Sequence, residues 1–310
     1  MIGGMSRARR PVVALVAVTL LAAACGPDGD PVTTVLDDDA ITIGSFNFPE
    51  SVLLAELYAL ALERAGYSVV RELDLGPREF VAPAVLRGLI ELVPEYSGSA
   101  LEFLELTASP DPERTHAALV EALGHHGLTA LAPAPAEDRN AFVVTAETSA
   151  ELGVRTLSEL VPFSPDLTFG GPPECPSRPL CLLGLERAYG MRIGEFVPLD
   201  EGGPLTVAAL RTGEVDVALL FSSAGAIQTN GFVVLEDDGQ LQPAENVTPV
   251  IRLEVLERFG LGVAETLDGV SAALTTLDLR RMNAAVAGGA APRSVAARWL
   301  LEHAAAGTDG

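Results

Sequence analysis

Residues 204–222, PLTVAALRTGEVDVALLFS, decide the fold when set beside residues 82–97, APAVLRGLIELVPEYS. In each stretch a short helix-forming segment (Pro204 to Arg211; Ala82 to Arg87) runs into a glycine, Gly213 or Gly88. An apolar segment of strand character follows, Glu214 to Phe221 or Leu89 to Tyr96. In both copies an aromatic stands eight residues past the glycine and a serine comes next: Tyr96 with Ser97, Phe221 with Ser222. Repeated helix, glycine and strand units imply two lobes of similar build. Each would present a ring and a hydroxyl at the carboxyl end of a strand, where open α/β sheets bind ligands. The plainer alternative is that both rings are core residues of unrelated units.

The same alternation extends outward. The β-branched segment ITIGS (41–45) reads as a buried strand, and Asn47, Pro49 and Glu50 open an apolar-periodic helix that runs through Ala65 to a stop at Gly66. A strand from Ser68 to Leu75, a helix from Arg78 to Arg87, the strand from Leu89 and a helix from Asp111 to Leu123 follow. A second series holds strands Asn140 to Thr145, Leu167 to Gly170 and Glu195 to Leu199, with a helix from Leu182 to Tyr189. Such βαβα order predicts an α/β protein whose sheets are dominated by parallel strands and covered by helices.

Composition narrows the function. With 310 residues, 48% hydrophobic and 20% charged, the chain has material for one or two ordinary cores. Asp and Glu number 42 against 20 basic residues, every one of them Arg, so no basic stripe exists to track phosphates and nucleic acid is excluded as a partner.

The N-terminus reads as an export signal. Arg7, Arg9 and Arg10 precede a 14-residue uncharged, largely apolar run from Pro11 to Ala24 that ends in AAAC, too short for a bilayer core that needs about 20 residues. Residues 1–24 are thus expected to be a signal peptide. Cys25 would then become the lipidated first residue of the mature chain, followed by a flexible linker over 25–39. Ala22, where such sites usually carry Leu, is the departure; ordinary cleavage after Ala24 with a spare thiol is the alternative. The other cysteines, Cys175 and Cys181, lie in ECPSRPLC with no His close enough to complete a zinc site. In an oxidising compartment they are expected to form a disulfide, stabilising the fold by about 2 kcal/mol on the chain-entropy account.

At IGSFNFPESVLLAELYALALERAGY (43–67) the chain resembles the binding proteins of osmoprotectant ABC importers, the glycine betaine, choline and carnitine family. The resemblance continues through LVPEYSGSAL (92–101), APAEDRNAFVV (134–144), LTFGGPPEC (167–175), PLDEGGPLTVAALRTGEVDVALLFSS (198–223) and QPAENVTPVIR (242–252), in family order. It implies a two-lobed, type II periplasmic-binding-protein-like fold, with crossover segments near Ala136 to Asn140 and Ala244 to Thr248. One lobe would comprise 40–137 plus 248–310 and the other 138–247. It further implies an extracytoplasmic solute-binding protein, monomeric, anchored to the outer face of the membrane and delivering its solute to permease subunits, with no cofactor, metal or catalytic residue.

The resemblance carries over a ligand set only in part. Tyr96 matches a family tyrosine, Ser99 replaces a threonine, Asp138 matches an aspartate at the first crossing, Phe221 stands for a tyrosine, and Arg178 lies near a ligand-binding arginine. Phe46 stands where lysine is common, Asn140 where a cage tyrosine is common, Ala224 replaces an aspartate, and Glu245 and Asn246 replace a tyrosine pair. With Ser222, these positions form the expected site. A quaternary ammonium is held by aromatic faces packed around its positive shell, and Tyr96, Phe221 and Phe46 make an incomplete box. Asn140, Asn246 and Ser99 offer directional donors and acceptors instead, so choline or betaine is expected to bind weakly beside a more hydroxylated or amide-bearing solute. An exported hydrolase using acidic pairs such as Asp200 with Glu201 is the rival class, although the sequence has no GxSxG elbow, HExxH helix or P-loop. A ligand-sensing domain that kept the fold without transport is a third.

Overall fold

The computed structural model describes residues 39–306; the signal segment, Cys25 and the linker to Asp38 lie outside the described residues. The chain starts with strand β1 (Ala40–Gly44), buried along its whole length, and helix α1 (Pro49–Arg64), whose proline occupies the first turn where its missing N–H costs nothing. Next come β2 (Ser68–Glu72), α2 (Arg78–Leu86), β3 (Leu92–Tyr96), α3 (Ser97–Phe103), α4 (Pro112–Gly124) and β4 (Leu128–Ala130). Asp111 caps α4 by accepting from the N–H groups of Glu113 and Arg114.

The second series holds β5 (Asn140–Val144), α5 (Ala146–Leu152), α6 (Leu157–Leu160), β6 (Thr168–Gly171), α7 (Leu182–Tyr189), β7 (Glu195–Pro198), α8 (Pro204–Thr212), β8 (Val217–Phe221), α9 (Gly225–Asn230) and β9 (Val233–Val234). The chain then returns through β10 (Val247–Arg252) into α10 (Leu253–Phe259), α11 (Gly262–Ala273), α12 (Thr276–Ala287) and α13 (Pro292–Ala306). Thr275 and Asp278 form a capping box at the start of α12. Among the described residues, no helix is long and apolar enough to cross a membrane.

Two five-stranded sheets result, ordered β2-β1-β3-β10-β4 and β7-β6-β8-β5-β9. Position by position they are the same sheet: three parallel strands, then a strand antiparallel to its neighbours on both sides. The expected parallel dominance holds for three strands of each sheet, while β10 and β5 run the other way because each enters its sheet from a crossover instead of from a covering helix. Both repeat glycines lie at positive φ, 75° at Gly88 and 73° at Gly213, a conformation that side chains with a Cβ disfavour. This αL turn swings the chain from helix into strand in both lobes.

The predicted strands are too long at their starts and ends. Leu89 and Ile90 still donate to the Ala84 carbonyl, so β3 begins at Leu92, and Asp74 at φ 57° turns the chain after β2. Apolar clusters line both faces of each sheet; the largest joins β1, α1 and β10 to the C-terminal helices α11 to α13.

The two passages between sheets touch. Glu137 and Asn246 form a β-bridge, the Asp138 N–H donates to the Glu245 carbonyl at 3.0 Å, and the Val247 N–H donates to Ala136 at 2.9 Å.

Candidate ligand site at the crossovers

Tyr96 ends β3 and Phe221 ends β8, the equivalent central strands of the two sheets. Each following serine is stapled to a crossover. The Ser97 N–H donates to the Asn246 carbonyl at 3.1 Å and its hydroxyl to the Ala244 carbonyl at 3.3 Å. The Ser222 N–H donates to the Arg139 carbonyl at 2.8 Å, its hydroxyl donates to the Glu137 carbonyl at 3.0 Å, and it accepts from the Arg139 N–H at 3.0 Å. The aromatic and serine pairs thus sit where the strands' carboxyl ends meet the hinge.

Two carboxylates, one on each crossover, are held in matching ways. Glu245 accepts from the Ser99 N–H at 2.9 Å and the Ser99 hydroxyl at 2.8 Å. Asp138 accepts from the Ser223 N–H at 3.2 Å and hydroxyl at 2.7 Å. Burial pushes the Asp138 carboxyl up to about 8, with the neighbouring Glu50 charge adding to the shift and the Ser223 hydrogen bonds opposing it. Burial likewise raises Glu245 to about 7, against the pull of its Ser99 bonds. Glu50, itself buried, accepts from the Tyr96 hydroxyl at 2.6 Å, and burial together with that carboxylate holds the Tyr96 phenol well above its ordinary value.

The aromatic wall differs from the one expected. Phe46 is only 2% exposed, with the Arg78 guanidinium 5.1 Å from its ring centre and Arg78 in turn forked onto Glu95. Phe48, which the sequence reading passed over, is 37% exposed; it stacks on Phe46 at 5.9 Å and on Tyr96 at 6.2 Å. The three rings form a ladder at the carboxyl ends of β1 and β3, and Phe48, its middle rung, is the one left substantially exposed. Tyr96 is 5% exposed, packed into the core as well as the ladder.

On the opposite lobe Phe221 is 37% exposed and pairs in register with Asn140. The Asn140 and Gln242 side chains both donate to the Leu180 carbonyl, at 3.3 and 2.9 Å, tying the Cys175 to Cys181 loop to this wall. The disulfide between those cysteines is formed. Inside its loop Arg178 reaches outward to Glu174 at 2.7 Å and Glu201 at 2.8 Å, so its charge is already engaged by two acids. Asn246 is buried: its amide donates to the Ala134 carbonyl at 2.8 Å, and its Oδ1 has no protein partner. Ala224 leads into α9.

Besides Phe48, the sequence reading missed Glu50 and Ser223, although both stand inside the strings quoted above. It also missed Arg280 and Asn283 on α12, which touch Ser222 and Ser223 from about 60 residues further along the chain. No local pattern announced those two.

Two α/β sheets of one design, joined by paired crossovers with aromatics, hydroxyls and carboxylates converging on the junction, define a two-lobed solute-binding protein. The family profile described as the substrate binding domain of ABC-type glycine betaine transport systems matches residues 39–302, and the chain belongs to that family. It is the solute-binding component of an ABC-type transport system. The glycine betaine-binding protein YehZ of Escherichia coli K12 is 26% identical over 275 residues, covering 84% of this chain and 90% of that protein. A glycine-betaine-binding protein of Pseudomonas aeruginosa is 27% identical over 279 residues, covering 86% and 88%. Among solved structures, a glycine betaine/carnitine/choline ABC transporter protein superposes with a TM-score of 0.80 at 26% identity, covering 85% of this chain and 98% of that one.

Proposed function

We propose that this chain is a lipid-anchored, extracytoplasmic receptor that captures a small quaternary-ammonium solute between its lobes and presents it to membrane permease subunits. The lobes divide near 137/138 and 247/248, a division supported by the two passages of the chain, one between β4 and β5 and the other between β9 and β10. The observation that carries the reading is the equivalence of Tyr96 with Ser97 and Phe221 with Ser222, at the ends of matching strands and stapled to the two crossovers. Closure of the lobes would bring Phe48 and Tyr96 from one side against Phe221 and Asn140 from the other.

Phe48 adds a ring that the depleted box lacked, and Glu50, Asp138 and Glu245 surround the junction with carboxylates. Each desolvated ring face contributes on the order of 1 to 2 kcal/mol toward a tetraalkylammonium. Arg178, shared between Glu174 and Glu201, is poorly placed to reward a ligand carboxylate. The site therefore favours a cation such as choline over the zwitterion glycine betaine. A calorimetric panel of choline, glycine betaine, carnitine and a neutral polyol tests this. One-to-one binding led by choline is expected; tighter binding of glycine betaine or of the polyol would refute the ligand assignment, and no binding by any of them would refute the receptor reading.

A further inference from the structure

Helix α12 belongs by packing to the first lobe, since Leu279 and Met282 sit in the same apolar cluster as β1 and α1. Its polar face is turned to the second lobe. Arg280 donates Nε to the Ser222 carbonyl at 2.6 Å. Asn283 donates its side-chain amide to the Ser223 carbonyl at 3.0 Å and also to the Glu50 carboxylate. One asparagine therefore links the pair formed by Tyr96 and Glu50 on one lobe to Ser223, which holds Asp138, on the other.

The contact is close as well as polar. A Cβ added at Gly225, the first residue of α9, would lie 2.4 Å from the Ala284 nitrogen and 2.6 Å from its Cα, so only glycine lets α9 rest on the backbone of α12. Arg280 is half-buried there, and burial lowers the pKa of its guanidinium while Glu137 on the first crossover opposes that shift. A half-buried cation gains a charge-assisted hydrogen bond from a backbone carbonyl and loses it when the pair is broken. That bond ties the segment 221–223 to α12.

We propose that Arg280 and Asn283 are positioning residues for solute capture: they reach no ligand themselves, and they fix the angle at which Phe221 and the Asp138 carboxylate face the aromatic ladder. The proposal rests on the receptor reading for its effect on affinity, but its geometric part stands apart from it. Without these donors the second lobe loses its hydrogen-bonded tether to α12 and is held only by the crossovers and the α9 backbone contact at Gly225, so segment 221–223 must be ordered anew on each binding event. The competent geometry is then a smaller fraction of the population, and apparent affinity falls by that fraction.

The test uses Arg280→Met and Asn283→Leu, which keep side-chain bulk and remove the donors, in the full mature chain. X-ray scattering of ligand-free protein should show a broader inter-lobe distance distribution for both variants than for wild type. Calorimetry with choline should show affinity reduced on the order of tenfold, the scale of one or two lost hydrogen bonds. Should Asn283→Leu fail to fold, Arg280→Met decides alone. Unchanged scattering together with unchanged choline affinity would overturn the proposal. If wild type binds no member of the solute panel while the variants still splay, the receptor reading fails and the tether stands.

Discussion

Asp138 and Glu245 meet backbone to backbone, the Asp138 N–H on the Glu245 carbonyl at 3.0 Å, at the point where the two crossovers pair. Their side chains diverge to opposite lobes, Asp138 to Ser223 and Glu245 to Ser99. The hinge thus carries a carboxylate for each lobe, and neither is matched by a salt bridge among the described residues. Burial without a paired cation raises a carboxyl's pKa, and an arriving cation would supply the missing charge.

That arrangement makes stability depend on pH. The Asp138 carboxyl titrates near 3.8 when unfolded and near 8 in the fold. Between those values the folded state holds more protons, so unfolding free energy falls as pH rises. Chemical denaturation of the ligand-free protein should show declining stability from pH 5 to 8, and Asp138→Asn, which keeps an acceptor for Ser223, should flatten the slope. Choline affinity should rise over the same interval, with proton release visible in buffers of different ionisation enthalpy. Stability that climbs with pH would contradict the assignment.

The aromatic ladder separates binding from packing. Phe48→Ala removes the exposed rung and should weaken choline binding by about 1 to 2 kcal/mol while leaving denaturant midpoints near wild type. Phe46→Ala opens a cavity under Arg78 and should cost about 3 to 5 kcal/mol of stability. Tyr96→Phe keeps the ring and removes the hydroxyl from buried Glu50, so it should reduce both modestly. The idea of a ligand-facing Phe48 fails if its alanine variant binds choline as tightly as wild type.

Why Phe48 escaped the sequence reading is a matter of geometry. Side chains alternate faces inside a strand, but β1 ends at Gly44, and beyond it the turn into α1 sets each direction individually. Phe46 and Phe48 look equivalent in NFP-type strings; only the turn buries one and exposes the other. Tyr96 and Phe221 were legible because the glycine before each strand fixes where that strand starts, so equal spacing gives an equal endpoint. Strand direction was not legible: the apolar runs of β5 and β10 read alike in either sense, and their antiparallel placement follows from the crossovers. Arg280 and Asn283 were beyond reach because helical periodicity marks the apolar face of α12 and says nothing of what its polar face meets.

The disulfide should act on shape as well as stability. Cys175 and Cys181 close the loop that carries Arg178 and offers the Leu180 carbonyl to Asn140 and Gln242. Replacing both with alanine should cost about 2 kcal/mol by restoring chain entropy to the unfolded state, read as a shift in denaturation midpoint. Ligand affinity should fall as well, because the Asn140 wall loses its fixed acceptor. Equal midpoints for the variant and for oxidised wild type would reject the stabilising role.

The proposed lipid anchoring, read from the AAAC that ends at Cys25, is checked by fractionating native protein and a Cys25→Ser variant; the native protein should stay with the membranes and the variant should leave them. The closer structural test of the hinge is Gly98. A Cβ there would lie 2.6 Å from the Ala244 carbonyl oxygen and 2.9 Å from the Glu245 carboxyl, both on the second crossover. The Ala244 oxygen is backbone already accepting from Ser97, so it cannot swing aside as a side-chain tip would. Gly98→Ala should therefore push the start of α3 away from the crossover, lengthen the Ser99 bonds to Glu245 and weaken choline binding. Alanine favours a helix over glycine by up to about 1 kcal/mol, so a tolerant site would gain stability. A variant more stable than wild type, with unchanged choline affinity, would show that the crossover yields and that the close packing of Gly98 on Ala244 is not what holds Glu245 in place.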